Sequence, residues 1–191
     1  TRAQVEMAAY LDDLLVRLDA LLATTGDKMA TDLIAAVQRV KQRALAIVKS
    51  GGEHSLVIVQ SHGDFQPANI LVDGSETHII DWEYSKPRTA FYDFLVYTTN
   101  SRFPVGLGDR LVEFLDSAKV AGALPTWFGR EGGDVASSLA LFLLEELELK
   151  LEENSAAALL DASWNFERWL PEVERALDWL GGQRIGRESR H

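Results

Sequence analysis

The sequence predicts an α+β domain that is mostly helical, with one small β element near its middle. Three observations lead to this prediction. Apolar residues recur at helical spacing before residue 50 and after residue 90, and short apolar, β-branched runs lie between residues 56 and 80. The chain has 191 residues, enough to bury a core, and it has no cysteine for disulfides, thiol catalysis or cysteine-ligated zinc. We therefore expect a single domain over residues 1–191.

Two helices are predicted ahead of the β element. Apolar residues within 5–22 recur at three- and four-residue intervals, which indicates an amphipathic helix over about the first two dozen residues. Gly26 is expected to end this helix. The same spacing over residues 29–48 predicts a second helix, which ends at Gly51.

The β element is predicted to contain three short strands. Residues 56–59 are apolar and rich in β-branched side chains, which is typical of a buried strand. Residues 70–72 and 78–80 are two more runs of this kind, and residues 73–75, Asp-Gly-Ser, are a strong turn signal. The second and third strands should therefore form a hairpin.

The rest of the chain is helical in its pattern. Helices are predicted over residues 91–101, 109–121, about 134–153 and about 155–180. Gly181 and Gly182 are expected to end the last helix, which leaves residues 182–191 as a frayed tail.

The charge balance restricts the class of partner. The chain has 19 basic and 29 acidic residues and a net charge of −10. An acidic surface repels nucleic-acid phosphates and anionic lipids, so we expect neither nucleic acid nor a membrane as partner. No window reaches the roughly 18 to 20 apolar residues of a membrane span, and no signal peptide is visible. We expect a cytoplasmic protein, and the absence of cysteine fits a reducing compartment.

One polar segment has the residues for chemistry. Asp64 and Asn69 lie in the loop that follows the first predicted strand, and Asp81 ends the hairpin. A hairpin brings the residue before its first strand close to the residue after its second strand. Carboxylate and amide oxygens suit Mg²⁺, and a small number of protein ligands leaves room for phosphate oxygens. Asp64 would lie beside Asn69 and Asp81, where it could orient or deprotonate a hydroxyl group.

The pattern His-x-Asp-x-x-x-x-Asn, followed by a hairpin and an Asp, resembles the catalytic loop and metal-binding Asp of kinases. The segments His-Gly-Asp-Phe-Gln-Pro-Ala-Asn-Ile-Leu and Ile-Ile-Asp-Trp-Glu are similar to the aminoglycoside phosphotransferase and choline kinase family of the protein-kinase-like superfamily. This resemblance implies that Asp64 is the catalytic base or orienting residue. It implies that Asn69 and Asp81 are the Mg²⁺ ligands.

The resemblance also implies supporting roles. His62 would be a scaffold residue of the loop, and Asp93 would brace the loop from the downstream segment Ala-Phe-Tyr-Asp-Phe. Glu83 and Arg88 are candidate contacts of substrate or phosphate. For Arg88 we favour the alternative of an ordinary surface arginine.

The implied fold is the C-terminal lobe of the protein-kinase-like fold, in which the hairpin carries the catalytic loop. The glycine-rich loop, strand lysine and helix glutamate of a nucleotide-binding N-terminal lobe are not in this sequence, which begins at Thr1. The implied activity is ATP- and Mg²⁺-dependent transfer of the γ-phosphate to a hydroxyl of a small molecule. The expected partners are the nucleotide, the acceptor and the missing lobe, and we expect this piece alone to be weakly active or inactive.

Three alternatives remain open at this point. The chain could be a stand-alone, non-catalytic lobe that acts as a binding or regulatory module. It could instead be completed by a lobe from another subunit. The acceptor is equally open, with aminoglycoside, choline, homoserine-like, sugar and methylthioribose-like molecules as options, and some of these are cationic.

Two further groups of residues could bind a cationic acceptor. The helix predicted at about 134–153 contains five glutamates, namely Glu145, Glu146, Glu148, Glu152 and Glu153. We favour a solvated helix face for them, because charges opposite an apolar stripe usually face water. The tryptophans at helical spacing near the C-terminus favour core packing over a cation-binding aromatic wall; they are Trp164, Trp169 and Trp179.

Overall fold

The structure is a computed structural model that describes residues 2–25, 29–121, 135–156 and 163–188. The described part is mostly helical, with two small antiparallel sheets, an architecture compatible with a kinase-like lobe. The elements in chain order are β1 (Arg2–Glu6), α1 (Met7–Thr25), α2 (Thr31–Ser50), β2 (Ser55–Ser61), β3 (Ile70–Asp73), β4 (Glu76–Ile79), β5 (Lys86–Thr89), α3 (Tyr92–Thr99), α4 (Leu107–Ala121), α5 (Val135–Ala156) and α6 (Ser163–Glu188).

The first residues of the chain form a strand, so the prediction of a helix there was wrong for residues 2–6. β1 pairs antiparallel with β2, in a register that places Ala3 opposite Ile58. Most of β1 is exposed, and therefore no apolar alternation marks it in the sequence. The pairing with β2 decides its conformation, because an unpaired edge of β2 would leave backbone N–H and C=O groups unsatisfied.

The second unpredicted strand, β5, pairs with the other edge of β2. The three-stranded sheet has the order β1-β2-β5, so β2 is central and buried. β5 reads Lys-Pro-Arg-Thr, which has no strand signal, but a proline is tolerated on an edge strand because its missing N–H can face away from the ladder. The predicted hairpin is present as β3 and β4, with Ile70 opposite Ile79.

The core is built around α5. This helix packs against α1, α2 and α6, while α4 packs against α6. Every residue from 139 to 149 is buried, so α5 has no solvent-facing side over this stretch. Trp169 is fully buried and Trp179 packs on the core, which confirms the core interpretation for these two; the side chain of Trp164 lies outside the described residues.

The last helix continues past the glycine pair, so the prediction that Gly181 and Gly182 end it was wrong. The backbone of α6 is helical to Glu188. A glycine inside a helix costs about 1 kcal/mol relative to alanine. Burial of Leu177 and Leu180 in the turn before the pair offsets that cost. Among the described residues, no helix is long and apolar enough to cross a membrane.

Candidate functional site

The polar loop over residues 62–69 begins where the central strand β2 ends. The last residue of β2, Ser61, donates a hydrogen bond from Oγ to the backbone oxygen of Lys86 in β5, at 2.9 Å. The loop therefore starts from a strand that is held on both edges. A rigid strand end of this kind positions the polar side chains that follow it.

Asp93, in the first turn of α3, holds the backbone of this loop. Its Oδ2 accepts a hydrogen bond from the His62 N–H at 2.7 Å, and its Oδ1 accepts one from the Gly63 N–H at 3.0 Å. One carboxylate thus satisfies two successive amide groups that no helix or sheet pairs. The contact fixes the backbone immediately before Asp64.

The ring of His62 links the loop to the hairpin. Its Nδ1 accepts a hydrogen bond from the Asp64 N–H at 3.2 Å, and its Nε2 lies 2.7 Å from the Ile80 backbone oxygen. Both contacts form when the proton is on Nε2, which then donates to Ile80. The buried ring also packs against Trp82, with 4.7 Å between centroids. His62 therefore lies in the position of a scaffold residue, with Trp82 at the base of the loop.

The carboxylate of Asp64 is almost fully buried and accepts three hydrogen bonds. Its Oδ2 accepts from Gln66 Nε2 at 2.8 Å and from Asn69 Nδ2 at 2.9 Å. Its Oδ1 accepts from Arg102 Nε at 2.8 Å. A carboxylate oxygen has two acceptor sites, so Oδ1 retains one for a further donor such as a hydroxyl group.

Asn69 and Asp81 lie together at the open end of the hairpin. The Ile80 N–H donates to the backbone oxygen of Asn69 at 3.0 Å, so the pairing continues one residue beyond β3 and β4, and Asp81 follows at once. Asp81 is exposed and has a φ of 66°, in the left-handed region that non-glycine residues rarely adopt. Backbone strain of this kind is often found at functional sites.

The donor set at this end of the hairpin fits Mg²⁺. Asn69 uses its Nδ2 for Asp64, which leaves its Oδ1 for a cation, and the exposed Asp81 follows the residue that pairs with the Asn69 backbone. Mg²⁺ prefers oxygen ligands and usually takes only one or two from the protein, with water and phosphate as the others. In the described residues, no three or more His, Cys, Asp or Glu side chains are grouped to hold a metal. An ion here would therefore need phosphate oxygens as further ligands.

The two candidate contacts, Glu83 and Arg88, lie in different environments. Glu83 is exposed just after the hairpin. Arg88 is buried, so the interpretation as a surface arginine was wrong. Its Nη1 donates to Ser61 Oγ at 2.9 Å and to the Tyr84 backbone oxygen at 3.0 Å, and its guanidinium lies 4.4 Å from the centroid of the Tyr92 ring. Arg88 supports the strand and turn around the loop, and within the described residues its Nε and Nη2 have no hydrogen-bond partner.

Arg102 is the residue of the site that the sequence did not predict. Besides its contact with Asp64, it donates to Glu146 Oε2 at 3.0 Å, to Tyr92 Oη at 3.1 Å and to the backbone oxygen of Gly63. The Tyr92 hydroxyl in turn donates to Glu146 Oε1. The network joins the loop, α3 and α5 beneath the Asp64 carboxylate. No motif marks an arginine in the loop after α3, and only the folded chain brings it to Asp64.

The charges in this network stabilise one another. Burial alone would lower the pKa of Arg102, but the Glu146 carboxylate and its neighbours raise that pKa above its ordinary value. Burial and then the Glu146 charge raise the pKa of Tyr92 well above its ordinary value. Arg102 therefore stays cationic and Tyr92 stays protonated at physiological pH.

The solvated-face interpretation was wrong for three of the five α5 glutamates. Glu145, Glu146 and Glu148 are each no more than 1% exposed. Glu148 accepts from Arg17 Nε at 2.5 Å and forms an ion pair with Lys86 at 2.9 Å. The sequence contained two signals that this helix is buried on all sides. Residues 139–144 are all apolar, so they leave no polar stripe for solvent. The glutamates at 145 and 146 are consecutive and therefore cannot lie on one face of a helix.

Gly63 provides a stability test of the loop. A Cβ at this position would meet the Tyr84 backbone oxygen and lie 2.8 Å from Arg88 Nη1, and the φ of 89° is itself unfavourable for alanine. We expect Gly63→Ala to lower the free energy of unfolding by about 2–3 kcal/mol. The matched control is Gly74→Ala, where φ is 59° but the space is open, with an expected loss of about 1 kcal/mol. Equal losses in urea unfolding would contradict the crowding argument.

The buried carboxyl group of Glu145 should make the free energy of unfolding depend on pH. Burial raises its pKa from 4.5 to about 6, against hydrogen bonds from Thr89 and Tyr10 that lower it. Because the folded-state pKa is the higher one, the folded chain binds more protons, and stability falls as pH rises from about 4.5 through 6. Relative to Glu145→Gln, the wild-type chain should lose about 2 kcal/mol across this window. Urea unfolding at several pH values checks this, and parallel profiles for the two proteins would refute it.

A comparison with protein-family models identifies the family of this chain. The model of the phosphotransferase enzyme family, APH, matches residues 3–126, well over half of the chain. No curated protein matches the sequence. The matched range contains the loop, the hairpin, Asp93 and Arg102, while Glu146 and the rest of α5 lie beyond it. The chain belongs to the phosphotransferase enzyme family.

Proposed function

We propose that this chain is the C-terminal lobe of an ATP- and Mg²⁺-dependent phosphotransferase that transfers the γ-phosphate to a hydroxyl of a small molecule. The observation that carries the proposal is the convergence of Asp64, Asn69 and Asp81. The Asn69 amide contacts the Asp64 carboxylate at 2.9 Å, and the hairpin pairing places Asp81 beside Asn69. The side chain of Asn69 thereby connects Asp64, proposed to bind the acceptor, with the cation site that Asn69 forms together with Asp81.

Asp64 would bind the acceptor hydroxyl. The open acceptor site on its Oδ1 can take the hydroxyl hydrogen bond, which directs the oxygen towards the phosphate and can receive its proton. Gln66, Asn69 and Arg102 prevent the carboxylate from rotating, so the geometry is set before the acceptor arrives.

Asn69 Oδ1 and the Asp81 carboxylate would hold Mg²⁺. The ion, when bound with the nucleotide, neutralises charge on the transferred phosphate. The chain's own contribution is orientation: His62 and Asn69 both hydrogen-bond Ile80, and Asp81 is the next residue. These contacts keep the two ligands at one end of the hairpin.

The surface of the hairpin supports a second, nucleotide-binding lobe as partner. Five large apolar side chains on it are at least 39% exposed, namely Leu71, Val72, Ile79, Ile80 and Trp82. Alternate residues of a hairpin point to opposite faces, so these side chains give both faces of the hairpin apolar surface that a partner can cover. A lobe packed here would cover the nucleotide, so this chain without it should have weak or no activity. Dependence on ATP also suggests a cytoplasmic location.

The test is phosphoryl transfer by the full-length natural protein. We expect a new phosphomonoester signal in ³¹P NMR with Mg-ATP and a panel of small alcohols. Asp81→Asn should lower the rate by at least about 100-fold. The control Asp73→Asn changes an exposed carboxylate in the turn of the same hairpin and should leave the rate unchanged.

Two results would overturn the proposal. One is transfer at an undiminished rate by Asp81→Asn. The other is neither transfer nor Mg-ATP binding by the full-length protein, which would favour a non-catalytic binding or regulatory module.

A further inference from the structure

Apolar side chains neighbour both Asp64 and Arg102 in the chain. Phe65 follows Asp64 in the chain, and its ring packs against Tyr97 of α3 with 5.8 Å between centroids. Phe103 follows Arg102, the residue whose Nε binds Asp64. Tyr97, Phe103 and Val105 are 46%, 57% and 48% exposed. We call these four residues, Phe65, Tyr97, Phe103 and Val105, the aromatic patch.

The aromatic patch is held in place, so its exposure is a property of the fold. The loop after α3 is fixed by Arg110 of α4, whose side chain donates hydrogen bonds to four backbone oxygens, those of Thr99, Asn100, Phe103 and Val105. The Phe103 N–H also donates to the Asn100 oxygen at 3.0 Å. Because exposing rings to water is unfavourable, a fixed arrangement of this kind next to a reactive carboxylate indicates a binding surface.

The charges near Asp64 do not favour a cationic acceptor. Arg102 pairs with Asp64 at 2.8 Å and with Glu146 at 3.0 Å. The buried Arg88 guanidinium lies against the ring of Tyr92 in the same network, so two cations accompany these two carboxylates. Each of the five α5 glutamates also has a partner within the chain. Glu145 and Glu146 accept from Thr89 and Arg102, Glu148 and Glu152 pair with Lys86, and Glu153 pairs with Lys150 at 2.6 Å.

We propose that the acceptor is an uncharged alcohol with an aromatic or flat apolar body, which packs on the aromatic patch while its hydroxyl binds Asp64. The inference rests on the proposed phosphotransferase function and names the substrate class of the same site. The rings supply contact area with little loss of side-chain freedom, since Phe65 and Tyr97 are already packed together.

Binding is tested first, independently of turnover. The probe is 1-naphthalenemethanol, followed by saturation-transfer NMR on the full-length natural protein, with choline as the cationic competitor. We expect the naphthyl alcohol to bind, choline not to displace it, and Tyr97→Ser and Phe103→Ser each to weaken binding by about tenfold. Val16→Ser removes an apolar side chain on α1 that is 68% exposed, more than either ring, and should change nothing. Absence of naphthyl alcohol binding, or equal affinity in all four proteins, would overturn the inference.

Turnover then separates failure of this inference from failure of the proposed function. With Mg-ATP, we expect kcat/KM for aromatic alcohols to exceed that for choline by at least about tenfold, and the two patch variants to raise KM without lowering kcat. Transfer to choline alone, with KM unaltered in both variants, would leave the phosphotransferase function standing and overturn the aromatic acceptor. Loss of all transfer and of Mg-ATP binding would overturn the function, while the NMR result would still decide whether the patch binds aromatic alcohols.

Discussion

Replacing Asp64 with Asn is expected to lower kcat of the full-length enzyme by about 100- to 10,000-fold, the usual contribution of a positioned base. The amide keeps the size of the carboxylate but cannot receive a proton. It also cannot accept all three of the hydrogen bonds from Gln66, Asn69 and Arg102 while offering an acceptor to the hydroxyl. Steady-state kinetics with Mg-ATP and the preferred alcohol measure the effect.

The KM for ATP serves as the internal control, because Asp64 does not belong to the proposed Mg²⁺ pair. It should change by less than about threefold, since the substitution replaces neither of the proposed metal ligands, Asn69 and Asp81, and reaches Asn69 only at its Nδ2 contact with residue 64. Thermal unfolding checks that the fold survives, and Asp73→Asn again controls for the loss of one hairpin-region carboxylate. A kcat within tenfold of the wild type would mean that Asp64 only orients the hydroxyl or has no role.

Arg102→Ala is expected to lower the free energy of unfolding of this chain by about 3–5 kcal/mol. The substitution leaves Glu146, which is fully buried, without a cation, and it removes a donor from Asp64 and from the Gly63 oxygen. An uncompensated buried charge is among the most destabilising changes that one substitution can produce. Urea unfolding measures the loss.

Two further variants test whether burial of the Arg102–Glu146 ion pair causes this loss. Arg39→Ala breaks an ion pair with Glu174 of similar length, 2.8 Å, but Arg39 is half exposed, so the expected loss is below about 1 kcal/mol. Adding Glu146→Gln to Arg102→Ala should recover part of the loss, because it removes the unpaired charge. A loss for Arg102→Ala no larger than that for Arg39→Ala would contradict the buried network.

The candidate site could be predicted from the sequence because its parts are close together along the chain. Asp64 and Asn69 lie in one loop, and the turn at residues 73–75 sets the short return to Asp81. Local turn chemistry and strand pairing suffice to bring such residues together. Arg102 reaches Asp64 across 38 positions, through the packing of α3 and its following loop, and no local rule predicts that contact.

The edge strands and the environment of α5 are likewise features that tertiary packing decides and local sequence does not predict. β1 and β5 have no apolar alternation, and they became strands because the edges of β2 needed partners. The α5 glutamates resemble a solvated face in the sequence, but α1, α2 and α6 surround the helix, and the three buried glutamates, Glu145, Glu146 and Glu148, must each find a partner inside.

By itself, the sequence determined the helical class, the hairpin and the proximity of Asp64, Asn69 and Asp81, because periodicity, turns and short loops act over a few residues. Only the tertiary structure decided that Arg102 and Glu146 lie under the loop, that Arg88 is buried, and that the ring of Phe65 packs against Tyr97. These contacts join distant segments, and their partners are selected by the requirement that buried charges and backbone groups be satisfied once the core has formed.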